Sequence, residues 1–230
     1  VAATRVDLSD ELATEFVGYK ALKQAAAPIL NLLANNKSSV GELSEGEEGF
    51  IILAKTPFYA QGGGQIGDTG YLLNATSQFL VTQTFKEGAF ILHQGKLLKG
   101  HLKKGDKLKA EVDVEKRRAI TLNHSATHLL HAALREVLGG HVMQKGSLVE
   151  PERLRFDFSH PDLLSTEQLK IIEDRVNQQI RANLPVLTQI MSREEARQTG
   201  ALAMFGEKYA DKVRVLTMGD FSKELCGGTH

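Results

Sequence analysis

Two short motifs, far apart in the chain, restrict how it can fold. In the first, His124 and His128 are four residues apart, and on a helix this spacing turns both imidazoles toward one face. In the second, Cys226 and His230 bracket two glycines and a threonine, and glycine allows a tight loop in which both side chains reach one point. Three imidazoles and a thiolate suit a tetrahedral Zn²⁺ ion. A shared ion would bring the last loop back to the helix.

Other interpretations of these residues remain open. His131 lies on the same helical stripe as His128, so it can replace a helical ligand or donate a hydrogen bond behind the metal, but we favour a half-buried helix histidine. Cys226 is the sole cysteine. It is an ordinary buried thiol, a metal ligand, or a nucleophile as in thiol hydrolases. We favour the metal ligand because His230 stands at ligand spacing. A lone thiol also favours a reducing compartment, and we expect the cytoplasm.

The apolar pattern divides the chain into three parts. Near the N-terminus, Phe16, Tyr19, Leu22, Ala26, Ile29 and Leu33 recur at three- and four-residue steps, which predicts an amphipathic helix that Pro28 kinks or splits. From Phe50 to Val114, short apolar runs are separated by glycines and charged turns, a pattern typical of a small antiparallel barrel. The expected strands are Phe50 to Ala54, Gln78 to Thr84, Ala89 to His93 and Leu108 to Val114.

The third part mixes helices and strands. A helix is expected from Val114 to Leu138, ended by a glycine pair. Capping boxes open two more helices, one at Ser165 and one at Ser192. Alternating apolar residues predict strands around Leu154 to Phe158 and Val213 to Met218. The fold class is therefore α+β, with a helical lead-in over residues 1–36, a glycine-rich barrel subdomain over 37–114 and an α+β subdomain over 115–230.

A glycine-rich stretch runs from Thr56 to Gly70. It lacks the Lys-Ser/Thr ending of a Walker loop and the strand-to-helix context of a dinucleotide site. The backbone N–H groups of Gly62, Gly63 and Gly64 and the Gln65 amide can approach an anionic or carbonyl-bearing ligand. A hairpin that needs glycine for its shape explains the stretch equally well.

The overall charge is balanced, with 28 basic and 28 acidic residues, so an electrostatic partner must be sought in local clusters. Between Lys96 and Arg118 nine Lys or Arg stand against four acids. Such a patch can attract phosphates, although a solvated surface gives the same pattern. The candidate RNA-binding residues are Lys103, Lys104, Lys107, Arg117 and Arg118. Neither a signal peptide nor a membrane-spanning run is visible, so we expect no membrane partner.

Several segments together resemble the editing domain of alanyl-tRNA synthetases and its freestanding relatives. They are the Thr56 to Gly70 stretch, the run from His124 to His131, Gln144 to Ser147, Phe205 to Tyr209, and Cys226 to His230. The resemblance extends from about Gly46 onward. It implies a small β-barrel followed by an α+β domain shared with threonyl-tRNA synthetase. It further implies that the residues matching His124, His128, Cys226 and His230 hold zinc, and that the glycine-rich loop and Gln144 line the pocket. The N-terminal stretch favours a part of a full-length synthetase, whose remainder is then a partner.

The resemblance implies an aminoacyl-tRNA deacylase that hydrolyses serine or glycine from alanine tRNA. Such an activity has a physical reason, because an alanine pocket cannot exclude glycine and discriminates poorly against an added hydroxyl. A second site that hydrogen-bonds the serine hydroxyl, through a residue such as Gln144 or Thr56, would spare alanine. The zinc would either activate water or anchor the substrate, and the sequence leaves both roles open. The alternative function is a zinc-stabilised tRNA-binding module without catalysis. A thiol hydrolase ranks third.

Overall fold

The structure of the chain is a computed structural model that describes residues 13–202 and 211–230. The chain divides into two compact units. Residues up to Gly62 together with Ile66–Arg118 form the first, and Gly63–Gln65 with Ala119–His230 form the second. The predicted match over Phe205 to Tyr209 lies outside the described residues. In the described ranges, no helix is both long and apolar enough to cross a membrane.

The first unit is made of short and long strands. They are β1 Glu15–Phe16, β2 Lys23–Ala34, β3 Ser39–Val40, β4 Glu42–Ser44, β5 Glu48–Leu53, β6 Lys55–Thr56, β7 Gly70–Leu73, β8 Gln78–Glu87, β9 Phe90–Lys99, β10 His101–Lys103 and β11 Lys107–Val112. Six of them pair antiparallel in the order β11-β7-β8-β9-β5-β2, and β11 also pairs with β2. This second pairing closes the sheet, so the predicted small antiparallel barrel and its expected strands are confirmed.

Alternation along each strand fills the barrel interior. On β11, Leu108, Ala110 and Val112 are buried while Lys107 and Lys109 are exposed, as expected where successive side chains point to opposite faces. The buried residues join one cluster with side chains from the other barrel strands, among them Ile51, Leu72, Phe79 and Leu97. Burial of this apolar area, at about 25 cal/mol per Å², is the main force that holds the barrel closed.

The helix predicted near the N-terminus is wrong for the described residues from 13 onward. The residues from Lys23 to Ala34 form the long strand β2, which pairs with both β5 and β11. Both faces of its second half are covered, because Ile29 and Leu32 pack in the main barrel cluster while Leu30 and Leu33 pack in another. A strand buried on both faces loses the simple alternation of period two, and its apolar run imitates a helical stripe. Register shifts in the pairings of β2 with both neighbours lie close to Pro28, which has no N–H to donate.

Helix α1, Val114–Leu138, begins in the residues of the first unit and continues into the second. Asp113 precedes it, and its Oδ1 accepts a hydrogen bond from the N–H of Lys116 at 3.1 Å, as an N-cap does. The helix ends before Gly139, whose φ of +117° is a conformation that glycine adopts without strain. The predicted helix and its glycine stop are confirmed.

The remaining elements of the second unit follow α1. They are β12 Gln144–Val149, β13 Leu154–Phe158, α2 Thr166–Ala182, β14 Val186–Ser192, α3 Arg193–Gln198, β15 Lys212–Met218 and β16 Ser222–Leu225. Both predicted capping boxes are present, at Ser165 with Gln168 and at Ser192 with Glu195. Strands β12 and β13 form a hairpin, and β14, β15 and β16 form an antiparallel sheet in that order. The predicted strands at Leu154 to Phe158 and Val213 to Met218 are confirmed.

Candidate metal centre

Helix α1 carries the first pair of candidate ligands. His124 and His128 are each 1% exposed, and their rings stack at a centroid distance of 5.3 Å with an interplanar angle of 7°. This arrangement follows from the spacing of four residues, which places side chains one above the other on a helix.

The chain after β16 supplies the second pair. Cys226 is buried and lies next to the end of the strand, and His230 is the last residue. The carbonyl oxygen of Gly228 accepts a hydrogen bond from Arg214 of β15 at 2.7 Å, which helps to hold the loop. A Cβ at Gly228 would clash with the ring of His124. Glycine is therefore needed here, because the loop backbone passes directly against an imidazole.

The four candidate donors converge. One ligand atom from each of His124, His128, Cys226 and His230 lies within 4.8 Å of the others. The Sγ of Cys226 is 3.4 Å from Nε2 of His124 and 3.3 Å from Nε2 of His230. With ordinary Zn–S and Zn–N bond lengths, a tetrahedral site separates such atoms by about 3.6 Å. The residues therefore fit a zinc ion.

Hydrogen bonds determine which ring nitrogen each histidine offers. Nδ1 of His124 donates to Oε1 of Gln65 at 2.8 Å, and Nδ1 of His128 donates to Oε2 of Glu224 at 2.7 Å. Nδ1 of His230 lies 3.1 Å from the hydroxyl of Ser125. Each ring thus keeps its Nε2 for the common point. Among the described residues, the buried Nε2 of His128 finds no hydrogen-bond partner, a cost that a metal bond would remove.

The electrostatics favour the protonation states in which Cys226 and His230 can bind a metal. Burial raises the pKa of the Cys226 thiol, but the imidazoles packed around the sulfur, His124 first among them, outweigh burial and hold this pKa well below its usual value. The thiolate is the form that binds metals. Burial is also the main reason that the pKa of His230 falls to about 4, which keeps this imidazole neutral.

His128 and Glu224 influence each other. Burial alone would lower the pKa of His128, but its interactions with the Cys226 sulfur and the Glu224 carboxylate raise it. Burial alone would raise the pKa of Glu224, but hydrogen bonds from His128 and His131 lower it. Glu224 is therefore a buried carboxylate, kept ionised by the imidazoles beside it.

Gln65 joins the glycine-rich stretch to the last loop within the second unit. Its side chain is fully buried. Its Nε2 donates to the hydroxyl of Thr229 at 2.9 Å, and its Oε1 accepts from the N–H of Thr229 at 3.0 Å as well as from His124. The amide is therefore engaged at the candidate ligand cluster. Gly63 and Gly64, with φ of 57° and 81°, form the turn just before it.

The other predicted pocket residues lie in different surroundings. Gln144 begins β12 and is half buried, and among the described residues its buried Oε1 has no hydrogen-bond partner. Thr56 belongs to the first unit and is fully buried, with its hydroxyl 2.7 Å from Nε2 of His93. Gly62 also belongs to the first unit, where its carbonyl oxygen accepts from the hydroxyl of Tyr59 at 3.0 Å. Within the second unit, the structure thus brings Gln65 to the candidate ligands.

The candidate RNA-binding residues divide into two groups. Lys103, Lys104, Lys107 and Arg118 are exposed. Arg117 is 5% exposed, and its guanidinium donates to the Asp68 carboxylate and to two carbonyl oxygens, those of Gly18 at 2.8 Å and Pro57 at 2.9 Å. A guanidinium engaged in this way does not reach a phosphate, so the structure removes Arg117 from the RNA-binding candidates.

Sequence reasoning missed Glu224. Its Oε1 accepts from Nδ1 of His131 at 2.7 Å, while its other oxygen accepts from His128. His131 therefore lies behind the candidate ligands in a hydrogen-bonding role, and it is 6% exposed rather than half buried as we favoured from the sequence. A signal was present in the sequence, because Glu224 follows the charged Lys223 in a strand where alternate residues point inward.

Comparisons with known proteins identify the family. The family model of class II (A) tRNA synthetases matches residues 2–116. The chain belongs to this family.

Proteins similar to this chain include alanine–tRNA ligases. The enzyme of Nitrosococcus oceani is 54% identical over 225 residues, which cover 97% of this chain and 26% of the relative. The enzyme of Pseudomonas fluorescens is 55% identical over 221 residues, 96% of this chain and 25% of the relative. The enzyme of Leptospira biflexa is 52% identical over 227 residues, which cover 99% of this chain and 24% of the relative. The predicted resemblance to alanyl-tRNA synthetases is confirmed, and the chain spans about a quarter of the length of these relatives.

Proposed function

We propose that this chain is the proofreading part of an alanyl-tRNA synthetase, and that it hydrolyses serine or glycine from mischarged alanine tRNA. The observation that carries the proposal is the cluster of His124, His128, Cys226 and His230, the first three of them buried, whose ligand atoms converge in a relative of alanine–tRNA ligases. In this proposal the barrel subdomain includes β2 as well as the range 37–114 expected from the sequence, and the editing subdomain is 115–230. The rest of the synthetase and the tRNA are its partners.

The four residues of the cluster would hold Zn²⁺ through three neutral imidazoles and one thiolate. When bound, this ion supplies a Lewis acid to the ester. In the reaction, a water oxygen adds to the ester carbonyl, the bond to the tRNA ribose oxygen breaks, and that oxygen takes up a proton as the amino acid leaves. The side chains of the site orient the ester for this attack, and an aligned substrate gains much of its rate from positioning alone.

Gln144 is the best candidate to recognise the serine hydroxyl. Its buried Oε1 lacks a hydrogen-bond partner among the described residues, so it can accept a hydrogen bond from a hydroxyl group. The alanine ester has no such hydroxyl and would leave this oxygen unpaired, at a cost of about 1–3 kcal/mol. Thr56 is a weaker candidate because its hydroxyl is already within hydrogen-bond distance of His93.

The exposed lysines of the first unit would contact the tRNA backbone. Lys103, Lys104, Lys107 and Arg118 are exposed on a chain of balanced charge, and local cationic groups attract phosphates even without a net positive charge. They would add affinity without reading the tRNA sequence.

A second candidate function is a tRNA-binding module in which zinc has a structural role only. The observation in its favour is the set of four protein ligands, because a catalytic zinc site more often has three and keeps one position open. In this case the metal would tie the last loop to α1 and contribute to folding alone.

Turnover of charged tRNA separates the two candidates. The zinc-loaded chain is given alanine tRNA that carries either serine or alanine, and release of the amino acid is compared with the spontaneous rate. We expect faster release of serine and far less release of alanine, with a discrimination of up to ~10⁴. Binding of the mischarged tRNA without any release would support the structural module. Equal release of both amino acids would remove the proofreading role.

Two substitutions connect the activity to the site. Gln144→Ala should reduce serine release while leaving zinc bound, because the amide lies outside the proposed ligand set. Gln189→Ala, on an exposed position of β14, is the matched control and should leave release unchanged. Cys226→Ala should remove most of the zinc. A Cys226→Ala chain that retains stoichiometric zinc would contradict the proposed ligand set.

A further inference from the structure

Glu224 connects two histidines of α1 from the opposite strand. It is 1% exposed on β16, its Oε2 is 2.7 Å from Nδ1 of His128, and its Oε1 is 2.7 Å from Nδ1 of His131. An ionised carboxylate only accepts hydrogen bonds, so both Nδ1 atoms must carry hydrogen. The two oxygens of one side chain thus serve two different imidazoles.

The position of this hydrogen determines what His128 can bind. A neutral imidazole carries one hydrogen, and with that hydrogen on Nδ1 the lone pair is on Nε2. In His128 this Nε2 is buried and, among the described residues, has no hydrogen-bond partner. Histidines that bind metals commonly donate their other N–H to a carboxylate, which fixes the ring and the tautomer.

We propose that Glu224 is a positioning residue that holds His128 in the Nδ1–H form, with Nε2 ready for the metal, and that His131 fixes the carboxylate by occupying its second oxygen. This inference rests on the metal-binding part of the proposed function and names two residues beyond the ligand set. It also explains why a third histidine follows on the same helical stripe although the ligand group lacks it.

The inference requires a carboxylate rather than an amide at position 224. In Glu224→Gln the side chain has one accepting oxygen and one donating NH₂ group. One of the two imidazoles would then face NH₂ with its own N–H and would have to move its hydrogen to Nε2. In the orientation in which NH₂ faces His128, the metal-binding nitrogen of His128 is blocked. In the other orientation, His128 keeps its hydrogen on Nδ1 but loses the negative charge that strengthens it as a ligand.

Removing the competing imidazole should reverse the effect. In the double variant Glu224→Gln/His131→Ala, the amide oxygen is free to turn toward His128 and to accept from its Nδ1. The second substitution is thus expected to restore part of the zinc affinity that Glu224→Gln loses. If Glu224→Gln weakened zinc binding only by disturbing the packing, a second substitution beside it would weaken binding further. The two variants therefore distinguish an effect on the His128 tautomer from an effect on packing.

Zinc affinity is measured by competition with a chelator for the wild-type chain, Glu224→Gln, His131→Ala and the double variant. We expect Glu224→Gln to bind zinc about 10- to 100-fold more weakly. His131→Ala should bind zinc only a few-fold more weakly than the wild type, because the carboxylate is less well fixed but still accepts from His128. The double variant should bind more tightly than Glu224→Gln. Unchanged affinity in Glu224→Gln would overturn the inference, as would a double variant weaker than Glu224→Gln or a wild-type chain that takes up no zinc.

A second measurement remains decisive even where Glu224→Gln does not fold. The ¹⁵N resonances of the histidine rings in the zinc-loaded wild-type chain show which nitrogen binds the metal and which carries hydrogen. We expect His128 to bind through Nε2 with hydrogen on Nδ1, and binding through Nδ1 would overturn the inference. Deacylation is assayed separately. Loss of tRNA hydrolysis with the affinity pattern intact would count against the proposed function alone.

Discussion

Protonation of His93 should make the chain sensitive to mild acid. The side chain is fully buried in the first unit, and burial lowers its pKa from 6.5 to about 4 although a hydrogen bond to the Ile51 carbonyl opposes this shift. Nδ1 lies 2.8 Å from that carbonyl oxygen, to which it donates, so Nε2 accepts from the Thr56 hydroxyl at 2.7 Å. The folded chain therefore contains a neutral imidazole with both nitrogens hydrogen-bonded.

The sign and size of the effect follow from the two pKa values. Between pH 6.5 and about pH 4, the unfolded chain binds a proton at His93 that the folded chain does not, so stability falls as the pH falls. The stabilising contribution is complete above pH 6.5, the unfolded value. At 1.36 kcal/mol per pKa unit, the whole difference is about 3 kcal/mol, and about 2 kcal/mol of it is lost between roughly pH 7.5 and pH 5.

The assay compares the wild-type chain with His93→Gln. Urea unfolding at about pH 7.5 and pH 5, with a chelator present, gives the free energy of unfolding at each pH without any metal contribution. Other titrating groups contribute equally to both chains. The wild-type chain should therefore lose about 2 kcal/mol more than the variant on acidification. Equal losses in the two chains would refute the reasoning, whatever the absolute stability of the variant.

Three other changes should affect zinc binding, stability and tRNA binding, respectively. Gly228→Ala should release most of the zinc, because its Cβ meets a ligand imidazole, whereas Gly41→Ala, where a Cβ meets open space, should retain it. Arg117→Met should lower the free energy of unfolding by about 3–5 kcal/mol, because a buried carboxylate loses its partner, whereas Arg118→Met should change it by less than about 0.5 kcal/mol. A triple substitution to alanine should weaken tRNA binding at three exposed lysines of the proposed tRNA contact, Lys103, Lys104 and Lys107. The slope of log affinity against log salt concentration should fall by about 0.9 per lost phosphate contact. Unchanged affinity would show that these lysines form only a solvated surface.

Elements governed by local rules could be predicted from the sequence. The capping boxes at Ser165 and Ser192 involve residues three apart, and the stop of α1 at Gly139 depends on one backbone conformation. Such signals are complete within a few residues. Strand β2 could not be predicted in this way, because it pairs with strands that lie elsewhere in the chain and apolar clusters cover both faces of its second half.

The candidate ligands could also be predicted, because each pair of them is close in sequence. His124 with His128, and Cys226 with His230, are each a pair at a recognisable spacing. Glu224 has no such partner nearby in sequence. Its role depends on β16 placing it opposite α1, and only pairing in three dimensions shows that its carboxylate accepts from two imidazoles.

The glycine-rich stretch shows how local shape serves a distant loop. Its sequence allows either a ligand cradle or a turn that needs glycine. In the structure the positive φ angles at Gly63 and Gly64 make the turn, and a Cβ at Gly64 would clash with Ser147. The turn places Gln65 against the last loop. There its amide forms hydrogen bonds with Thr229 and accepts one from His124. Glycine is thus required at the turn so that one amide can fix both a ligand imidazole and the loop that carries the thiolate.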